Sequence, residues 1–209
     1  MRGSKVVLVS TASFEETKAY WVKSSLERYK DMVFFDGTGY RYTLFRKKKV
    51  VTNIGNRHDM KIGDRITIFR FAKESPDLTK KYSYTVEVIE IKESFGIILL
   101  QGDVELCPRL PPALRFPESG QEYFQAKVPE GSQFPCFEKG IISKCDISIQ
   151  LGTTQCDIEG AEGCGLYAAN EYCLIGICVR HEKDEGDQPG GGSSSSTYTT
   201  HIAPVFSFY

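Results

Sequence analysis

Cys164 is flanked by glycine on both sides, in the run Ala161-Glu162-Gly163-Cys164-Gly165. A cysteine on a sharp small-residue turn can act as a nucleophile. It needs an imidazole to take its proton and backbone amides to receive the charge that develops on an attacked carbonyl. His58, beside Asp59 in the first third of the chain, is the candidate base. Each has a plainer reading, Cys164 as a small buried thiol and His58 as an exposed loop histidine. A second constellation is Arg46-Lys47-Lys48-Lys49, with Tyr40, Arg41 and Tyr42 close by. Such a basic and aromatic cluster suits phosphate contact and base stacking. Strand alternation sends Arg46 and Lys48 to the face opposite Lys47, so part of the run is solvated edge that guards a strand against pairing.

These residues must be held by short elements. Ser13 and Glu16 make a capping box, and Phe14, Trp21, Val22, Leu26 and Tyr29 recur near helical spacing, which predicts an amphipathic helix over 14–29 packed on a core. Runs rich in Val, Ile, Tyr, Phe and Thr then predict strands at 32–36, 40–45, 48–53, 64–71, 82–91 and 95–101. The proline-rich 107–117 favours an extended crossing segment. Further strands are expected at 121–127, 139–144, 145–151, 164–169, 172–180 and 201–208. Two consecutive sets of six short strands imply an all-β protein of two six-stranded antiparallel barrels. The expected division is 1–30 for the helical segment, 31–106 for the first barrel, 107–117 for the connector and 118–209 for the second. Acidic and then Gly/Ser-rich composition predicts a mobile loop over 182–200.

Composition narrows the function. The chain has 209 residues, 41% hydrophobic and 25% charged, enough for a buried core and unlike a disordered or fibrous protein. Lys plus Arg is 26 and Asp plus Glu 27, so no global field draws nucleic acid or anionic membrane. The apolar run Val6 to Val9 is too short for a signal-peptide core, and nothing approaches the ~20 apolar residues of a membrane span. Seven cysteines (Cys107, Cys136, Cys145, Cys156, Cys164, Cys173 and Cys178) lie in the second half without Cys-x-x-Cys or histidine-paired spacing. That argues against zinc or a disulfide framework and for reduced thiols in the cytoplasm or nucleus. No metal, cofactor or membrane partner is expected.

The segment AEGCGLYAANEYCLIGICVRHE over 161–182 resembles the nucleophile loop and following hairpin of chymotrypsin-fold proteases, most closely the picornavirus-type cysteine proteases. Cys164-Gly165 and Ile175-Gly176-Ile177-Cys178 fall in one register with that pattern. KVVTN at 49–53 resembles the strand before the catalytic histidine, and SFGIILLQGD at 94–103 the strand that starts with the catalytic acid. The resemblance implies a chymotrypsin-like double barrel with Cys164 at the nucleophile position, an oxyanion turn of Glu162, Gly163 and Cys164, and Cys178 in the substrate pocket.

The chain also departs from that pattern. Aligning VVTN puts Ile54 or Gly55 at the histidine position, whereas His58 fills it only with an insertion. Phe95 or Gly96 stands where the acid belongs, with Glu93 just ahead. Glu162 replaces the glycine two residues before the nucleophile, Leu166 replaces the second glycine after it, and Cys178 replaces the histidine that reads glutamine. These departures point to a pseudoprotease that binds a protein partner. The alternatives are an active endopeptidase using a Cys164–His58 dyad and an RNA-binding protein using Arg46, Lys47, Lys48 and Lys49.

Overall fold

Each β-branched and aromatic run becomes a short strand cut by a Gly, Asp or Lys turn. The computed structural model describes residues 14–55, 59–71, 81–129, 132, 134–146, 149–155, 157, 159–184 and 197–209. Ser13 of the expected capping box, His58, and 185–196 of the expected mobile loop lie outside the described residues. Strands β1 (Val33–Phe35), β2 (Arg41–Arg46), β3 (Lys49–Asn53), β4 (Arg65–Phe71), β5 (Lys81–Lys92) and β6 (Ile97–Gly102) close into a barrel in the order β1-β2-β3-β6-β5-β4.

The connector contributes a two-residue strand, β7 (Ala113–Leu114), parallel to the start of β12. The remaining strands are β8 (Glu122–Lys127), β9 (Cys136–Cys145), β10 (Gln150–Thr154), β11 (Gly165–Ala168), β12 (Cys173–Lys183) and β13 (Tyr198–Pro204). They close a second antiparallel barrel in the order β8-β9-β10-β13-β12-β11, the same winding as the first. Full closure leaves few free edges.

Two expected strands are displaced. The run read as 145–151 forms at Gln150–Thr154, because the Asp146 carboxylate accepts the Ile149 amide at 2.7 Å and makes a turn after β9. The last strand spans Tyr198–Pro204 instead of 201–208. Pro204 has no amide to extend the ladder, and Val205–Phe208 turn into a 3-10 helix.

Helix α1 (Phe14–Tyr29) docks through its last turn. Tyr29 is fully buried, stacked on Tyr167 at 3.9 Å and on Tyr172 at 5.0 Å, and its hydroxyl donates to the Glu171 carbonyl. The helix is thereby fixed to the β11–β12 hairpin of the second barrel. One core runs from the first barrel through Tyr167, Leu174 and Ile177, and a second cluster fills the second barrel around Tyr123. Gly140 and Gly152 make room for Tyr123, since a Cβ at either would overlap its ring. No helix among the described residues is long and apolar enough to cross a membrane.

Candidate functional site

The second-barrel side of the seam is the turn leading into β11. Gly163 adopts a left-handed φ of 80°. A Cβ there would drive into the Arg41 carbonyl and approach Thr52 Oγ1 to 3.0 Å, so glycine is what lets this turn lie on the first barrel. Its amide donates to the Cys178 carbonyl at 2.8 Å, and its carbonyl accepts from Thr43 Oγ1 of β2 at 2.8 Å. The Cys164 amide donates back to the Ala161 carbonyl at 2.8 Å. The Gly163 and Cys164 amides of the expected oxyanion turn are therefore engaged within the protein, while the Glu162 side chain is exposed.

Cys164 itself is fully buried, with Sγ 3.7 Å from the Gly160 carbonyl. Burial pushes its thiol up to about 12, and the nearby Arg41 guanidinium offsets only part of that. Arg41 in turn donates to the Val128 carbonyl at 2.8 Å. Cys178 is also fully buried, inside the second-barrel cluster with Tyr123 and Ile202. Its thiol is held well above the usual range, first by burial and then by Glu162 and Cys164.

On the first-barrel side, Ile54 at the end of β3 donates its amide to the Gly96 carbonyl at 2.7 Å. Gly96 closes the 3-10 turn Glu93–Phe95 with φ 67°. Ile54, Gly55, Glu93 and Gly96 are thus brought together, with Met60, Ile91, Ile98 and Val179, around a hollow of about 580 Å³. Phe95 turns away, packing edge-on against Phe206 at 5.7 Å. Val179 reaches the hollow because β12 bulges there, skipping one residue between Cys178 and Arg180 in its pairing with β13. Among the described lining residues the one titratable side chain is Glu93, and Cys164 is not among them. The two described histidines are engaged elsewhere: His181 faces Thr200 and Asp157, and His201 faces Glu182.

The basic run is largely occupied. Lys47 pairs with Glu105 at 2.8 Å, Lys48 donates to the Asp103 carbonyl, Arg46 lies over the Tyr209 ring, and Lys49 is half-buried in β3. Among the described residues no group of three or more His, Cys, Asp or Glu is placed to hold a metal ion.

Thr43 and Val179 are site residues that sequence reasoning missed, and Arg41, named there only beside the basic run, lies at the Cys164 turn. Val179 was within reach, since it follows Cys178 in the register already aligned. Nothing in the sequence marks Thr43 as the hydroxyl that crosses between barrels.

The winding shared by the two barrels and the site between them decide the architecture. The fold is chymotrypsin-like. Solved protease structures superpose on it, among them the apo MamO protease domain of Magnetospirillum magneticum, with TM-score 0.58 and 12% identity over 86% of this chain and 95% of that one. A serine endoprotease from Yersinia pestis gives 0.61 and 16% over 90% of this chain and 63% of its own length. The Rv3671c protease in its inactive form gives 0.59 and 13% over 88% of both chains. No family model matches the chain. No curated protein matches it in sequence.

Proposed function

We propose that this chain is a catalytically degenerate member of the chymotrypsin-like proteases, most similar in its nucleophile loop to the picornavirus-type cysteine enzymes, and that its double barrel serves as a protein-binding module. The observation that carries the reading is the sealed nucleophile turn. Cys164 is fully buried with its amide bound to Ala161 and the Gly163 amide bound to Cys178. A thiol with a pKa of about 12 is ionised in only about one molecule in 10⁵ at pH 7. With the Gly163 and Cys164 amides already satisfied, two of the three donors of the turn are unavailable to a tetrahedral intermediate. Glycines at 55 and 96 supply neither base nor acid. Seven cysteines without Cys-x-x-Cys or histidine-paired spacing favour a reducing compartment, the cytoplasm or nucleus.

The test is twofold. A mixture of fluorogenic peptides should show no turnover above that of the Cys164→Ala variant. Iodoacetamide at pH 8 should modify the exposed Cys136 in the native protein and Cys164 only after denaturation. Cleavage that disappears in both Cys164→Ala and His58→Ala would instead establish a working dyad and overturn the proposal.

A further inference from the structure

The Cys164 turn leads straight into β11, at four residues the shortest strand of the second barrel. It pairs at three positions with β8 and at three with β12, and the second ladder slips between Leu166 and Tyr167. A strand so short, with a broken ladder, is held mainly by what packs on it.

What packs on it is the end of the helix. Tyr29 of α1 stacks on Tyr167 of β11 and on Tyr172 of the following turn, and Arg28 lies over the Tyr172 ring at 3.7 Å. The hydroxyl end of the Tyr167 ring covers Gly165, where an added Cβ would come within 2.7 Å of it. Contact therefore runs without a break from Tyr29 through Tyr167 to the residue bonded to Cys164. Tyr29, Tyr167 and Cys164 share one packed cluster, whereas Cys178 faces the other with Tyr123 and Ile202.

The closed arrangement also carries a cost. The Tyr167 hydroxyl is buried with no hydrogen-bond partner. Such a group opposes closure, because water satisfies it as soon as the site opens. Ring packing favours the shut state and a stranded hydroxyl favours the open one, both at the same side chain.

Resting on the sealed-turn reading above, we infer that α1 is a latch on the Cys164 turn. With Tyr29 seated on Tyr167 the thiol is shut away, and with Tyr29 withdrawn β11 loosens and the thiol meets solvent. The latch acts on Cys164 and leaves Cys178 covered.

The experiment treats the full chain with iodoacetamide at pH 8 without denaturant and follows each cysteine over time by peptide mass mapping. Tyr29→Ala, which removes the stacked ring, should speed modification of Cys164 by about thirtyfold or more and that of Cys178 by less than about threefold. Arg28→Ala, which removes only the cation over Tyr172, is the milder variant should Tyr29→Ala fail to fold, and should speed Cys164 by about threefold. Tyr167→Phe deletes the stranded hydroxyl and should slow Cys164 by about fivefold or more. Equal acceleration of Cys164 and Cys178, or a Cys164 rate that neither the helix variants nor Tyr167→Phe move, overturns the latch alone. Modification of Cys164 in the unsubstituted protein as fast as that of Cys136 would sink the sealed-turn reading and the latch with it. Peptide cleavage gained in Tyr29→Ala and lost again when Cys164→Ala is added would uphold the latch while overturning catalytic degeneracy.

Discussion

Gly96 and Gly163 face the same seam from opposite barrels, both at left-handed φ, and they do opposite things. At Gly96 the missing side chain leaves space, since an added Cβ would meet nothing closer than Val179 at 3.9 Å. At Gly163 it permits contact, because the backbone is pressed onto the Arg41 carbonyl and Thr52. The first-barrel rim leaves a hollow, whereas the second-barrel rim is closed on itself, the Gly163 and Cys164 amides bound to Cys178 and Ala161. A glycine's role in such a site is set by what lies opposite it, and that comes from the other barrel.

The largest effect should separate those two roles. Gly163→Ala combines left-handed strain with overpacking against backbone that cannot move aside, a loss of roughly 2–5 kcal/mol. Gly96→Ala carries the strain alone, roughly 1–2 kcal/mol. Urea denaturation of the two variants measures both. Equal losses would mean that the rims do not differ as described.

The buried thiol gives the closed rim a pH signature. Cys164 keeps its proton in the native protein up to about pH 12, whereas in the unfolded chain it ionises near the ordinary thiol value. Above that value the unfolded state has lost a proton that the native state retains, so stability falls as pH rises through the window between the two. Below it the group contributes no slope. Cys164→Ala should flatten part of the decline between about pH 9 and 11, read from urea midpoints at each pH. A decline identical in the variant would show that the sulfur is in contact with solvent in the native state.

The difference between the rims also explains what could be read in advance. Strand positions in the first barrel were legible because apolar alternation and short Gly or Lys turns are local signals. Ile97 to Leu100 and Lys49 to Asn53 declare themselves within a few residues. That Gly55 and Gly96 stand beside the ends of strands was legible too, since each sits at a fixed distance from one. Closure of the other rim was not. It depends on Thr43 and Arg41 approaching from β2, far away in sequence, and on the Ala161 carbonyl turning toward the Cys164 amide. Residue identity left Cys164 open to both the reactive and the buried reading. The partners of the basic run were not legible for the same reason, because Asp103 and Glu105, which contact Lys48 and Lys47, lie on a separate loop.

The smallest expected effect tests what holds the closed rim shut. Thr43 Oγ1 donates across the barrels to the Gly163 carbonyl, and Thr52 Oγ1 donates to the Arg41 carbonyl inside the first barrel. Both threonines are buried and both change to valine with little change in shape. Each substitution removes one buried hydrogen bond, at a cost of about 1–2 kcal/mol. Their consequences for Cys164 should differ. If the cross-barrel bond pins the turn, Thr43→Val lowers the local opening energy and speeds iodoacetamide modification of Cys164 by about tenfold for each 1.4 kcal/mol lost. Thr52→Val loses stability without that acceleration, because the turn keeps its own clamp. Modification sped equally by both would mean that the thiol is reached only through unfolding of the whole domain, and the contrast between an open and a latched rim would then reduce to a difference in packing.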